Sequence, residues 1–154
     1  MPLPSVLVTH PRERLATYFG EQALANLQGS ARVKLNSDAH DWSTRELIEA
    51  AQDCDVLIAY RQTALDAEFF SAVPGLLAAV RCAVDIRTID VAAASREGIL
   101  VTQASPGFGP AVAEWVIGVM IDLSRSISPA AAAYWQGQSV EPRMGRELRG
   151  ACLG

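Results

Sequence analysis

The run Asp55-Val-Leu-Ile-Ala-Tyr60 predicts a buried β-strand, because it is short, apolar through its middle and contains β-branched side chains. Similar apolar runs occupy residues 5–10, 76–82 and 99–103. Residues 31–36 instead alternate apolar and polar side chains, as a half-exposed strand does. The sequence therefore predicts five strands.

Helical segments are expected in each interval between these strands. The predicted segments are residues 11–29, 43–52, 66–72 and 90–98. Ser43 and Glu46 form a capping box at the start of the second segment, and Asp90 caps the last one. Because parallel strands need crossover helices, this alternation predicts an open, doubly wound α/β sheet. Ligands of such sheets bind outside the carboxyl ends of the strands.

After residue 105 the alternation of predicted strands and helices stops. A helix is expected from Pro110 to about Ile127, apolar around most of its circumference except for one narrow polar stripe. Such a helix must be buried on several sides, and without a covering partner it would present a large apolar surface. We therefore expect a homodimer through this helix. Beyond it we expect a second helix over residues 130–136, an irregular link over 139–146, and the first half of a new strand over 147–154.

The composition excludes several classes of protein. Of 154 residues, 50% are apolar and 19% are charged, which excludes a disordered chain and allows one ordinary domain. A net charge of −4 gives no electrostatic reason to expect a nucleic-acid partner. The longest strongly apolar stretch, residues 112–123, is too short and too charged to span a membrane. With three scattered cysteines and no basic, apolar leader, we expect a cytoplasmic protein.

The sequence argues against several kinds of functional site. A phospho-accepting domain needs an Asp at the end of the third strand, where Tyr60 stands, and residues 11–14 do not form a flavin phosphate loop. Cys82 and Arg87 have the spacing of a sulfurtransferase loop, but the intervening residues lack the glycines that curl such a loop around an anion. A small buried thiol is the preferred interpretation of Cys82. His10 and His40 lack partners at metal-ligand spacing, so we expect two surface or loop histidines and no metal.

A set of motifs from about residue 50 onward resembles the D-isomer-specific 2-hydroxyacid dehydrogenases, with the D-3-phosphoglycerate dehydrogenase branch nearest. The motifs are Tyr60-Arg-Gln-Thr63, residues 76–90, Gly98-Ile-Leu-Val-Thr, Ser105-Pro-Gly and Ala111-Val-Ala-Glu114. This resemblance implies a flavodoxin-like substrate domain over residues 1–105. It also implies crossover helices and a link over residues 106–146. Residues 147–154 would then be the start of a Rossmann domain, and the rest of that domain is not in this sequence.

The resemblance further implies interconversion of a small D-2-hydroxy acid and its 2-oxo acid by hydride transfer with NAD or NADP. In the family the loop after the fourth strand binds the substrate carboxylate through backbone N–H groups, and the loop after the third strand lines the same cleft. The matching substrate-binding residues are Cys82, Ala83, Val84 and Asp85, together with Tyr60, Arg61, Gln62 and Thr63. Val84 and Gly109 are the expected cofactor contacts.

This sequence departs from the family in ways that bear on activity. Ala83 and Asp85 replace the two glycines usual in the loop, and Asp85 would repel a carboxylate unless it pairs with Arg87 or Arg61. The family's catalytic Arg, Glu and His have no counterpart here. We therefore expect this chain alone to be inactive and to bind no NAD.

One alternative remains open beside the sulfurtransferase: a non-catalytic binding or dimerisation module. A reading frame that continues past Gly154 into Gly-x-Gly-x-x-Gly would favour the enzyme. A natural stop codon there would favour the module.

Overall fold

A computed structural model describes residues 2–152, and the chain divides into two compact units, Met1–Ser105 and Pro106–Gly154. The first unit contains a five-stranded sheet in which every strand pairing is parallel. Its strands are β1 (Ser5–Val8), β2 (Arg32–Leu35), β3 (Val56–Ala59), β4 (Ala78–Arg81) and β5 (Leu100–Gln103). Their order, β2-β1-β3-β4-β5, confirms the predicted doubly wound α/β sheet.

The first unit has five helices, one more than the sequence predicts. They are α1 (Arg12–Tyr18), α2 (Glu21–Gln28), α3 (Thr44–Ala51), α4 (Ala67–Ala72) and α5 (Val91–Arg96). The single helix predicted over residues 11–29 is wrong, because Gly20 has φ +88° and separates α1 from α2. Glycine adopts this backbone conformation without the steric penalty that a Cβ would bring.

The predicted capping box at the start of α3 is confirmed. The Ser43 backbone N–H donates to a Glu46 carboxylate oxygen at 2.8 Å, and the Glu46 N–H donates to the Ser43 hydroxyl at 3.4 Å. The Ser43 hydroxyl and N–H, followed by His40, lower the pKa of Glu46 to about 2. Two backbone groups that a helix start leaves unpaired are thereby satisfied.

The hydrophobic core lies against one face of the sheet, where buried residues of α3, α4 and α5 pack with residues of the strands and loops. Leu57, Leu65, Phe69 and Phe70 are fully buried there. The two phenylalanine rings meet edge to face with centroids 5.4 Å apart. Because this core holds β3 and β4 rigidly, the loops that follow these strands start from fixed positions.

The second unit contains α6 (Gly109–Arg125) and α7 (Ile127–Trp135). The predicted boundaries were wrong: α6 ends at Arg125, before Ile127, and α7 begins at Ile127, before residue 130. Ser126 adopts the left-handed conformation at φ +54° and ends α6. The Asp122 carboxylate then accepts hydrogen bonds from the Ser128 N–H and hydroxyl, at 2.6 and 2.7 Å, so a new helix starts at once.

The described residues leave the apolar surface of α6 uncovered, as expected for this helix without a covering partner, and none of its residues is buried. One further expectation for this unit fails. Residues 147–152 form no strand, because the chain turns at Gly150, which has φ +74°, and the Ala151 N–H donates back to the Leu148 carbonyl at 3.0 Å. Residues 153 and 154 of that predicted strand lie outside the described residues.

Within residues 2–152, no single helix combines the length and apolar character needed to cross a membrane. Only α6 and α7 taken together meet those criteria, as a pair bent by 71°.

The cap of α3 gives a stability prediction. Replacing Ser43 with Ala removes the side-chain oxygen that holds the first turn, so the free energy of unfolding should fall by about 1 kcal/mol. Urea denaturation followed by circular dichroism measures the difference. Ser37→Ala, at an exposed serine in the preceding loop, is the matched control. An equal loss in the two variants would contradict the capping role.

Candidate functional site

The carboxyl ends of β1, β3 and β4 bring three loops to the same edge of the sheet. Thr9 and His10 follow β1, residues 60–63 follow β3, and residues 82–85 follow β4. Since β1 and β3 are neighbours whose connections leave in opposite directions, this edge contains the point where doubly wound sheets bind ligands. The candidate substrate loops therefore lie at the expected edge of the first unit.

Buried threonines hold the loop after β3 against the end of β1. The hydroxyl oxygens of Thr9 and Thr63 are 2.7 Å apart, and the Tyr60 N–H donates to the Thr9 hydroxyl at 2.9 Å. Thr9 is 1% exposed and Thr63 is 3% exposed. Because buried hydroxyls are costly unless they are hydrogen-bonded, this pair fixes the position of the loop.

Arg81, the last residue of β4, is a site residue that the sequence analysis missed. Its side chain is 1% exposed, and its guanidinium donates to the Tyr60 carbonyl, to the Thr63 carbonyl at 2.7 Å and to the Thr88 hydroxyl at 2.8 Å. Burial lowers its pKa, although guanidinium groups remain charged in proteins. The one sequence signal for Arg81 was the presence of a charged residue in an otherwise apolar strand.

The loop after β4 offers several backbone donors. The Cys82 N–H continues the strand pairing by donating to the Ala59 carbonyl at 3.1 Å, so that donor is already used. The N–H groups of Ala83, Val84 and Asp85 donate to no other group among residues 2–152. These three consecutive amides therefore remain available as donors to a ligand, without the glycine-rich curl of a backbone anion nest.

Asp85 and Arg87 form an exposed ion pair beside these amides. Arg87 donates to both carboxylate oxygens, through Nε at 3.0 Å and Nη2 at 2.7 Å. These hydrogen bonds lower the pKa of Asp85 to about 2. Of the two partners considered from the sequence, Arg87 is the one that pairs with Asp85, and Arg61 and Gln62 are exposed. The charge that would repel a carboxylate is therefore opposed by an adjacent cation.

Cys82 is exposed, so the expectation of a buried thiol was wrong. Partial desolvation nevertheless raises the pKa of the thiol, and the nearby Arg81 charge offsets this shift only in part. A raised pKa leaves less of the nucleophilic thiolate at neutral pH. The environment of Cys82 does not favour a sulfurtransferase.

His10 lies in the loop after β1, as predicted, but it is buried rather than at the surface. It is 1% exposed, with ring centroids 5.0 Å from Tyr60 and 5.4 Å from Phe19, and neither ring nitrogen has a hydrogen-bond partner among residues 2–152. Burial lowers its pKa to about 4, so the ring is neutral at pH 7. His40 does lie on the surface, 3.3 Å from a Glu46 oxygen.

The described residues do not fit a dinucleotide. Val84 is half-buried in the loop after β4 of the first unit, whereas Gly109 is the first residue of α6 in the second unit. Between residues 2 and 152, the turn that leads from β5 into α6 carries Gly107 and Gly109 but lacks the Gly-x-Gly-x-x-Gly run that holds a pyrophosphate. No cluster of three or more metal ligands occurs in that range.

The burial of His10 predicts a pH-dependent stability. The unfolded chain binds a proton at the ordinary histidine pKa of 6.5, whereas the folded chain binds it near pH 4. The unfolded state therefore holds more protons in between, and stability should fall by up to about 3 kcal/mol as the pH drops through this window. Urea unfolding at a series of pH values measures the loss.

His10→Phe keeps an aromatic ring beside Tyr60 and Phe19 and should abolish that pH dependence, whereas His40→Gln should retain it. An unchanged pH dependence in His10→Phe would show that another group is responsible.

Comparison with known proteins gives the family. Residues 6–151 match the family model described as D-isomer specific 2-hydroxyacid dehydrogenase, catalytic domain. Human D-3-phosphoglycerate dehydrogenase is 34% identical over 113 residues, covering 73% of this chain and 21% of that protein. The D-3-phosphoglycerate dehydrogenase of Methanocaldococcus jannaschii is 31% identical over 150 residues, covering 97% of this chain and 27% of that protein.

A solved structure supports the fold. D-lactate dehydrogenase from Aquifex aeolicus, complexed with NAD and lactic acid, superposes with a TM-score of 0.65 at 21% identity, covering 94% of this chain and 41% of that chain. The chain spans only 21% and 27% of the length of the two curated relatives. From the family match over residues 6–151, the chain belongs to the D-isomer specific 2-hydroxyacid dehydrogenase family.

Proposed function

We propose that this chain is the substrate-binding N-terminal part of an NAD(P)-dependent oxidoreductase that interconverts a D-2-hydroxy acid and a 2-oxo acid. The observation that carries the proposal is the row of unbonded N–H groups at Ala83, Val84 and Asp85, next to the buried guanidinium of Arg81. Backbone amides bind a carboxylate through short, charge-assisted hydrogen bonds, and a nearby cation strengthens them.

The neighbouring loop completes the proposed cleft. Tyr60 and Thr63 are buried and hold the loop in place, while Arg61 and Gln62 are exposed. Arg61 and Gln62 are therefore the polar side chains of this loop that remain accessible to a substrate. The pairing of Asp85 with Arg87 limits repulsion of a bound carboxylate.

The domain organisation is part of the same proposal. Residues 1–105 would be the substrate domain, residues 106–146 the crossover helices and link, and residues 147–154 the start of the dinucleotide-binding domain. Support comes from the relatives, whose greater length leaves room for a second domain. Hydride transfer would require the cofactor and an acid–base group supplied outside the described residues.

An NMR titration tests the proposed carboxylate site. Adding pyruvate to the ¹⁵N-labelled 154-residue chain should shift the amide signals of Ala83, Val84 and Asp85, because these groups would bind the carboxylate. Methyl pyruvate keeps the 2-oxo group but lacks the negative charge, and is the matched control. The absence of shifts with pyruvate, or equal shifts with the ester, would overturn the proposal.

A charge substitution in the same loop gives a second prediction. Asp85→Asn releases Arg87 from its ion pair, so pyruvate should bind about two- to fivefold more tightly at low salt. The gain should shrink as salt is added, because both groups are exposed. The same titration measures it, with Asp53→Asn, at an exposed carboxylate outside the loop, as control. Weaker binding by Asp85→Asn would show that Asp85 itself assists the ligand.

We further propose that the partner is a second copy of this chain, associating through α6. Val112, Trp115 and Ile117 on this helix are 50%, 69% and 54% exposed, respectively. Exposed apolar surfaces of this kind mark association sites. Sedimentation should show a dimer for the unaltered chain and a monomer for Trp115→Glu. A monomeric unaltered chain would contradict this part of the proposal.

A further inference from the structure

Arg81 combines two properties that rarely occur together. It is 1% exposed, yet no carboxylate lies within 4.0 Å of its guanidinium among residues 2–152, where the ion pairs are His40–Glu46 and Arg87–Asp85. Its Nε has no hydrogen-bond partner there. Burying an unpaired charge is expensive, so the fold gains little stability from an arginine at this position compared with an apolar side chain.

The contacts of Arg81 all fall on the two loops of the proposed cleft. One guanidinium nitrogen donates to the Tyr60 carbonyl, and the other donates to the Thr63 carbonyl at 2.7 Å and to the Thr88 hydroxyl at 2.8 Å. The Thr88 hydroxyl in turn donates to the Thr63 carbonyl at 3.2 Å. A planar fork with several fixed donors can hold two carbonyl oxygens at a set distance, which a flexible ammonium does less well.

We propose that Arg81 is a positioning residue that clamps the Tyr60–Thr63 turn to the loop after β4, and that substrate binding depends on this clamp. The inference rests on the proposed carboxylate-binding function. Because Arg81 precedes Cys82 directly, the guanidinium that orders the turn also fixes the start of the amide row at Ala83, Val84 and Asp85. Its acceptors, the carbonyls of Tyr60 and Thr63, would be left without this donor if it were removed.

Two readouts separate the clamp from the binding site. The Thr63 N–H donates to the Tyr60 carbonyl at 3.0 Å and so reports on the order of the turn without any ligand. Pyruvate affinity, from the amide shifts of residues 83–85, reports on the site. Arg81→Met, at a similar chain length without charge, should speed hydrogen exchange of the Thr63 amide and weaken pyruvate binding, each by about tenfold.

Arg81→Lys tests whether the fork or only the charge matters. Lysine keeps the charge but cannot present the planar donor pair, so it should restore less than half of the lost binding free energy. Full recovery of pyruvate affinity with lysine would contradict the positioning role and would show that only the charge of Arg81 matters. Arg45→Met, at an exposed arginine on α3, is the matched control and should leave both readouts within about twofold.

Thr88→Val provides a second test of the clamp if the Arg81 variants fail to fold. It removes one acceptor of the clamp at an exposed position, and both readouts should change by about threefold in the same direction. Unchanged Thr63 exchange in Thr88→Val and in any folded Arg81→Met would overturn the clamp. Failure of pyruvate to bind the unaltered chain would instead refute the proposed function. Hydrogen exchange of the Thr63 amide would then be the one remaining test of the clamp.

Discussion

Parallel strand pairing is the constraint on which the structure of the first unit depends. All four pairings in the sheet are parallel, so the chain must return across a face of the sheet before each new strand. Three of the helices that make these returns, α3, α4 and α5, pack residues into the core, and the loops that begin the returns gather at the carboxyl edge. That edge therefore collects the residues after β1, β3 and β4, although they are far apart in sequence.

The polar groups at that edge are costly to bury, but they can position the loops of a ligand site. Thr9 and Thr63 share a hydrogen bond of 2.7 Å, and Arg81 places a charge where an apolar side chain would pack at lower cost. Because the two hydroxyls bond each other and Arg81 donates to carbonyls of the loop after β3, these groups hold two loops in one geometry. Preorganised donors lose less entropy on binding, which is the advantage such a network gives to a ligand site.

The sequence was sufficient for the strands and for the start of α3, which depend on short-range chemistry. Apolar runs located the strands, and the pair Ser43 and Glu46 located a helix start, because those features depend on residues a few positions apart. Gly20 and Ser126 were missed, since a helical pattern of side chains continues through both positions while the backbone conformation changes. The two loops of the candidate site were predicted from the family resemblance and lie at one edge of the sheet.

Two other features of the candidate site depend on contacts that are distant in sequence. Arg81 binds carbonyl groups 18 and 21 residues earlier, and His10 is buried by Tyr60. Neither contact leaves a periodic pattern in the chain. The ion pair of Asp85 with Arg87, two residues apart, was one of two alternatives that the sequence alone did not separate.

The proposed function depends on binding of a 2-oxo acid carboxylate by the amide row after β4. A crystal structure of the 154-residue chain grown with pyruvate measures this directly. We expect a carboxylate oxygen about 3 Å from the backbone nitrogens of Ala83, Val84 or Asp85. Pyruvate bound elsewhere in the chain, with those nitrogens unoccupied, would contradict it.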